Sequence, residues 1–141
     1  MNRTVQSIAA RLSLRPPQTR SLAIIAAVAD IFALRKDTDP AVALEAIRRE
    51  FLTVESFGRD FSSLCLALAT GVGKTRLMGA FVSYLHVQKG IRHFFVLAPN
   101  LTIYNKLIAD FTPNTPKYVL KGIAGRELRA VPSAPGRSRL P

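Results

Sequence analysis

FSSLCLALATGVGKTRLMGAFVSYL, residues 61–85, is the stretch whose reading decides the fold. Its first part, Phe61–Leu68, is too uniformly apolar for a half-exposed strand and suits a buried parallel one. The next residues, Ala69–Thr75, read ATGVGKT. Small residues and glycines there let backbone amides turn inward around phosphate oxygens, and the helix that follows aims its partial positive end at them. Lys74 brings a point charge to the β- and γ-phosphates, and the Thr75 hydroxyl is suited to Mg²⁺ bridging the same groups. The pattern predicts ATP with Mg²⁺ as the ligand, held by Thr70, Gly71, Val72, Gly73, Lys74 and Thr75. Leu68 stands where the general G-x-x-x-x-G-K-[ST] form has its first glycine, so the strand before and the helix after carry part of the identification. A dinucleotide fingerprint is excluded, because Arg76 occupies the place of the third glycine in G-x-G-x-x-G.

Downstream, Leu77, Met78, Phe81, Val82 and Leu85 have helical spacing, and Gly90 stands where a C-terminal cap belongs. His93–Ala98 reads HFFVLA and predicts a second buried strand. Asn100 then caps a helix whose apolar positions are Leu101, Tyr104, Leu107, Ile108 and Phe111. Strand, loop, helix and strand in this order make a βαβ unit with parallel strands and a right-handed crossover. Lys117–Lys121 is one more strand candidate.

Upstream, residues 1–15 are polar and basic with weak periodicity, and Pro16 and Pro17 set the start of a helix near Gln18. Leu22, Ile25, Ala29 and Phe32 share one face of that helix, which is expected to run to about Lys36. Asp39 and Pro40 form an N-cap and first-turn pair for a second helix carrying Leu44, Ile47 and Phe51.

The chain has 20 Lys and Arg against 9 Asp and Glu, a net charge of +11 over 141 residues. Residues 1–113 hold 14 basic and 8 acidic side chains, and residues 114–141 hold 6 and 1. Such a surplus attracts polyanions, and DNA is the natural partner, although a solvated basic surface has the same composition. Cys65 is the single cysteine, which excludes an intrachain disulfide, fits a cytoplasmic location, and reads as an ordinary core thiol. The longest apolar stretch, Leu22–Leu34, is interrupted by Asp30 and falls short of the roughly 20 residues a membrane span requires, so no membrane association is expected. His86 and His93 have no partners at metal-ligand spacing.

Three segments resemble the superfamily 2 helicases and translocases, in particular the restriction subunits of type III restriction systems. ATGVGKT resembles that superfamily's motif I, with the Thr-Gly pair as the distinguishing detail. Leu14-Arg15-Pro16-x-Gln18 is similar to the upstream L-R-x-x-Q segment, whose glutamine amide reads adenine; the resemblance makes Gln18 an ATP-over-GTP selector. A surface glutamine at a helix start is the plainer reading. VLAPNLTIYNKL, residues 96–107, is similar to motif Ia, which touches the nucleic-acid backbone. It implies DNA backbone contacts from Asn100 and Thr102, which also suit a helix cap and its first turn. The resemblance further implies a modification or methyltransferase subunit as a partner of the parent system.

The expected architecture is therefore α/β: a partial, RecA-like P-loop NTPase domain with parallel strands, preceded by helices and truncated. Residues 1–15 form a basic N-terminal segment, 16–121 the partial helicase ATP-binding domain, and 122–141 a tail expected to be disordered. Motors of this kind need a Walker B acidic pair at the end of an apolar strand and arginines from a second domain. After Lys74 the acidic residues are Asp110, in a helical pattern, and Glu127, in the tail. No catalytic residue is assigned, and the chain is expected to grip ATP without turning it over. A P-loop kinase or small NTPase, and a non-functional basic DNA-binding remnant, are the competing readings.

Overall fold

The computed structural model describes residues 2–31 and 38–122. Five helices run in chain order: α1 Arg3–Arg11, α2 Pro16–Ile31, α3 Pro40–Glu50, α4 Lys74–Lys89 and α5 Leu101–Phe111. No strand occurs among the described residues.

The α4 helix is the centre of the molecule. Gly73 and Gly90, both with positive φ, bound it. At its C-terminal end Gly90 N–H donates to the His86 carbonyl and Ile91 N–H to the Leu85 carbonyl, which satisfies acceptors that the helix leaves open. One face carries Leu77, Ala80 and Tyr84 into a core shared with Val5, Ile8 and Leu12 of the first segment and Leu22, Ala26 and Ala29 of α2. Another face places Val82 against Leu107 and Phe111 of α5 and Val119 and Leu120. The α3 helix, with Asp39 as its N-cap and Pro40 in its first turn, packs on α2 alone among the described helices.

The N-terminal segment corrects the expectation of weak periodicity. Asn2 caps α1 by accepting from Thr4 N–H, and Val5, Ile8 and Leu12 recur at helical spacing on its buried side. The α2 helix starts two residues before Gln18, and its expected extension with Phe32 to Lys36 lies outside the described residues. The expected disordered tail beyond Gly122 also lies outside them.

The α/β architecture with parallel strands is not what the chain adopts. Segments 61–68 and 93–98 sit where strands were expected, but no ladder of backbone hydrogen bonds joins them to each other or to another described segment. Their apolar side chains stand in solvent: Phe61 is 63% exposed, Phe95 83% and Leu97 76%. The physical reason is that a strand leaves its N–H and C=O groups for neighbours to satisfy, and two short segments alone pair only marginally in water. Only Leu68, Phe94 and Ala98 of these runs pack partly against the helical cores. The third candidate, 117–121, is a series of turns in which Val119 N–H reaches the Asp110 carbonyl at 2.9 Å and Val119 and Leu120 are buried. Cys65, read as a core thiol, is exposed because the segment carrying it is not sandwiched in a sheet. No described helix is long and apolar enough to cross a membrane.

Candidate nucleotide site

Residues 70–73 turn the chain from the extended segment into α4. Gly71 has φ +82° and Gly73 φ +85°, a region that side chains with a Cβ rarely enter. Open space surrounds Gly71, so there the requirement is conformational, whereas a Cβ on Gly73 would also lie 2.7 Å from Gln18 Nε2. Thr70, Gly71, Gly73 and Lys74 are exposed, and Val72 and Thr75 are half-buried.

Lys74 is the first residue of α4, and the cap position before it is a glycine that offers no side-chain acceptor. The α1, α3 and α5 helices differ: Asn2, Asp39 and Asn100 each accept a first-turn N–H. A helix whose leading N–H groups have no side-chain partner presents donors and a partial positive charge to an incoming anion.

Gln18 lies behind the loop, 2% exposed on the first turn of α2. Its Oε1 accepts from Arg15 N–H at 2.7 Å, and its Nε2 donates to the Gly73 carbonyl at 2.9 Å. The same carbonyl accepts from Leu77 N–H, so the last loop residue is held both by its own helix and by a side chain 55 positions upstream. Both amide atoms of Gln18 are thus engaged with backbone. The upstream segment and the phosphate-type loop, far apart in sequence, are brought together.

Asn100 and Thr102 are placed at the start of α5. Asn100 caps that helix, its Oδ1 accepting from Ile103 N–H at 2.9 Å, and Thr102 is exposed in the first turn. No described hydrogen bond links either residue to the 70–75 loop.

Reading the residues one by one missed the double grip of Gln18 on Arg15 and Gly73. The signal for it is indirect: a glutamine three positions after an arginine at a helix start, where its side chain can fold back to an open N–H. No cluster of metal-ligating side chains occurs among the described residues.

Comparison with protein families finds a match to the model described as type III restriction enzyme, res subunit, over residues 11–132. Neither the curated proteins nor the solved structures give a match. The matched span contains Gln18, the 70–75 loop and the start of α5, and it covers most of the chain; the protein belongs to the type III restriction enzyme res subunit family, whose members are helicase-like and ATP-dependent.

Proposed function

We propose that this chain binds ATP with Mg²⁺ through residues 70–75, as the nucleotide-gripping part of a superfamily 2 DNA motor of the restriction type. The observation that carries the reading is the hydrogen bond from Gln18 to the Gly73 carbonyl at the start of α4. It holds the last residue of a loop whose Gly71 and Gly73 have a backbone shape that residues with a Cβ rarely adopt, and Gly73, having no side chain, leaves the first N–H groups of α4 without a side-chain cap.

In this reading Thr70, Gly71, Val72 and Gly73 line the phosphates with backbone N–H groups, Lys74 neutralises the β- and γ-phosphates, and the Thr75 hydroxyl ligates Mg²⁺. Both the metal and the nucleotide find suitable donors: one hydroxyl for a hard cation and a series of amides with one ammonium for the anion. Gln18 braces the loop through its bond to the Gly73 carbonyl, and the adenine reading implied by the family resemblance requires the buried amide to give up one of its two backbone partners when a base binds. Asn100 and Thr102, at an exposed helix start, supply polar contacts to the DNA backbone. The expected compartment is the cytoplasm, and a modification subunit is the expected protein partner of the whole system.

Hydrolysis requires a carboxylate that holds the metal and orients the attacking water. Asp110 is buried on α5, and Glu127 lies outside the described residues, so no residue is assigned that task. Titration of the chain with a fluorescent ATP analogue in Mg²⁺ tests the grip. Lys74→Ala should weaken binding by at least about tenfold, as expected when a charge-assisted contact worth roughly 1.5–3 kcal/mol is lost. Equal affinity for the wild type and Lys74→Ala, with both folded, would sink the reading. Phosphate release by the isolated chain should remain at background.

A further inference from the structure

A second basic site lies away from the nucleotide loop. A half-open groove of about 280 Å³ is lined by residues of α1 and α4 and by Lys121. Its polar lining consists of Arg3, Thr4, Ser7, Arg11, Ser83 and Lys121, and no carboxylate is among its lining residues. Thr4 and Ser83 are committed to the fold, since Thr4 donates to Gln88 Oε1 and Ser83 to the Gly79 carbonyl, and Lys121 Nζ makes one long bond to the Pro116 carbonyl at 3.4 Å, which leaves its other N–H groups for an acceptor. Arg11 is anchored, its Nη1 donating to the Gly122 carbonyl at 2.6 Å, which holds the guanidinium in place and leaves further N–H groups for an acceptor. Arg3 and Ser7 make no side-chain hydrogen bond or ion pair among the described residues.

The spacing of these groups identifies the ligand. Arg3, Ser7 and Arg11 follow at i, i+4 and i+8, which puts them in one row along α1. At about 1.5 Å per residue the row is roughly 12 Å long. Its ends are too far apart to close on a single phosphate. A nucleic-acid strand, with one charge per about 3.4 Å of rise when stacked as in a duplex and a wider spacing when extended, presents more than one phosphate over that length. We propose that the α1 face of this groove is a track for a nucleic-acid phosphodiester backbone, with Arg3, Arg11 and Lys121 as the phosphate-binding cations and Ser7 as a hydrogen-bond donor between them. The track is separate from the start of α5 and from the ATP loop, so it stands or falls without either. Recognition of this kind positions the strand and carries no base sequence.

The test is fluorescence anisotropy of a short labelled single-stranded oligonucleotide with the full chain, without nucleotide, over a salt series. The double variant Arg3→Ala with Lys121→Ala leaves the anchored Arg11 intact. It should weaken binding about tenfold at low salt and flatten the slope of log affinity against log salt by about 1.4, two contacts at roughly 0.7 each. Arg59→Ala, an exposed cation remote in sequence from the groove, should leave both quantities unchanged. Unchanged affinity and slope in the double variant, with an unaltered circular dichroism spectrum, would overturn the proposal. Equal losses in Arg59→Ala would overturn it too, because they would show attraction by overall charge alone. Inorganic phosphate that protects Arg3 from modification where the oligonucleotide does not would replace the track with a small-anion site and overturn it as well. Failure of ATP binding leaves the result unaffected, since the assay contains no nucleotide.

Discussion

The helical layer made by α1, α2 and α4 and the extended segments 61–68 and 93–98 all carry large apolar side chains, yet these end in opposite environments. Leu22, Ala80 and Tyr84 are fully buried, whereas Phe61, Leu64, Phe95 and Leu97 are exposed. The difference lies in the backbone. A helix satisfies its own N–H and C=O groups and needs neighbours only for its apolar face, while a strand needs neighbours for both. Where helices meet, the pattern marks the buried positions, as at Leu22, Leu77 and Leu107, although Leu101 at the start of α5 is 63% exposed; where strands were expected, apolar character without a partner leaves side chains in water.

The largest expected effect breaks this comparison open at its two extremes. Leu22→Ala removes a fully buried side chain from the core shared by the three helices and should lower stability by about 2–5 kcal/mol. Phe95→Ala removes a larger side chain from an exposed position and should change stability by no more than roughly 0.5 kcal/mol. Urea unfolding followed by circular dichroism measures both. A loss at Phe95 comparable to that at Leu22 would mean that the extended segment is packed in solution, and the contrast between the two regions would fail.

Gly79 tests the helical layer where it meets residues 117–121, the third segment expected to be a strand. It lies on the face of α4 that meets the turns after α5, and a Cβ there would sit 2.5 Å from Val119 Cβ and 2.6 Å from the Val119 carbonyl oxygen. One obstacle is backbone, so side-chain rotation cannot relieve it. Gly79→Ala gains helix propensity of up to about 1 kcal/mol, but separating α4 from residues 117–122 should outweigh it and destabilise by about 1–3 kcal/mol. A stabilised variant would show that the close approach of Val119 does not persist in solution.

The sequence disclosed the helices through periodicity and caps: Asp39 with Pro40, Asn100, and Gly90 all stand where the elements begin or end. Such signals are local and are read within a turn or two of chain. The strand expectations rest on runs of five to eight residues, and an apolar run reports a tendency to burial without naming what would bury it. The α1 helix was legible as well, in Asn2 and the spacing of Val5, Ile8 and Leu12, but its many polar residues masked the stripe. At the 70–75 loop, ATGVGKT suggests a task for each residue, as proposed above. The contact of Gln18 with Gly73 could not be read there, because it spans 55 positions and depends on how α2 meets α4.

The smallest expected effect concerns the edge of the helical core, where Tyr84 carries its hydroxyl from the buried layer toward polar groups. That hydroxyl accepts from Asn2 Nδ2 at 3.3 Å and donates to Asp30 at 3.4 Å, and Asp30 is itself paired with Lys89 at 2.6 Å. Burial and then the Asp30 charge raise the phenol above its ordinary value of 10.0. Because the folded state holds the proton more tightly than the unfolded one, this contribution is fully present below about pH 10 and is lost as pH rises through the folded value. Tyr84→Phe removes two long hydrogen bonds and keeps the ring, so at neutral pH it should lower stability by about 0.5–1.5 kcal/mol. The gap between wild type and variant should then narrow above about pH 10, where the wild type must deprotonate beside Asp30 and the phenylalanine has no proton to lose. Urea midpoints of both proteins at neutral and alkaline pH decide it: a gap that stays constant or widens with pH would mean that the hydroxyl faces water in the folded protein rather than Asp30.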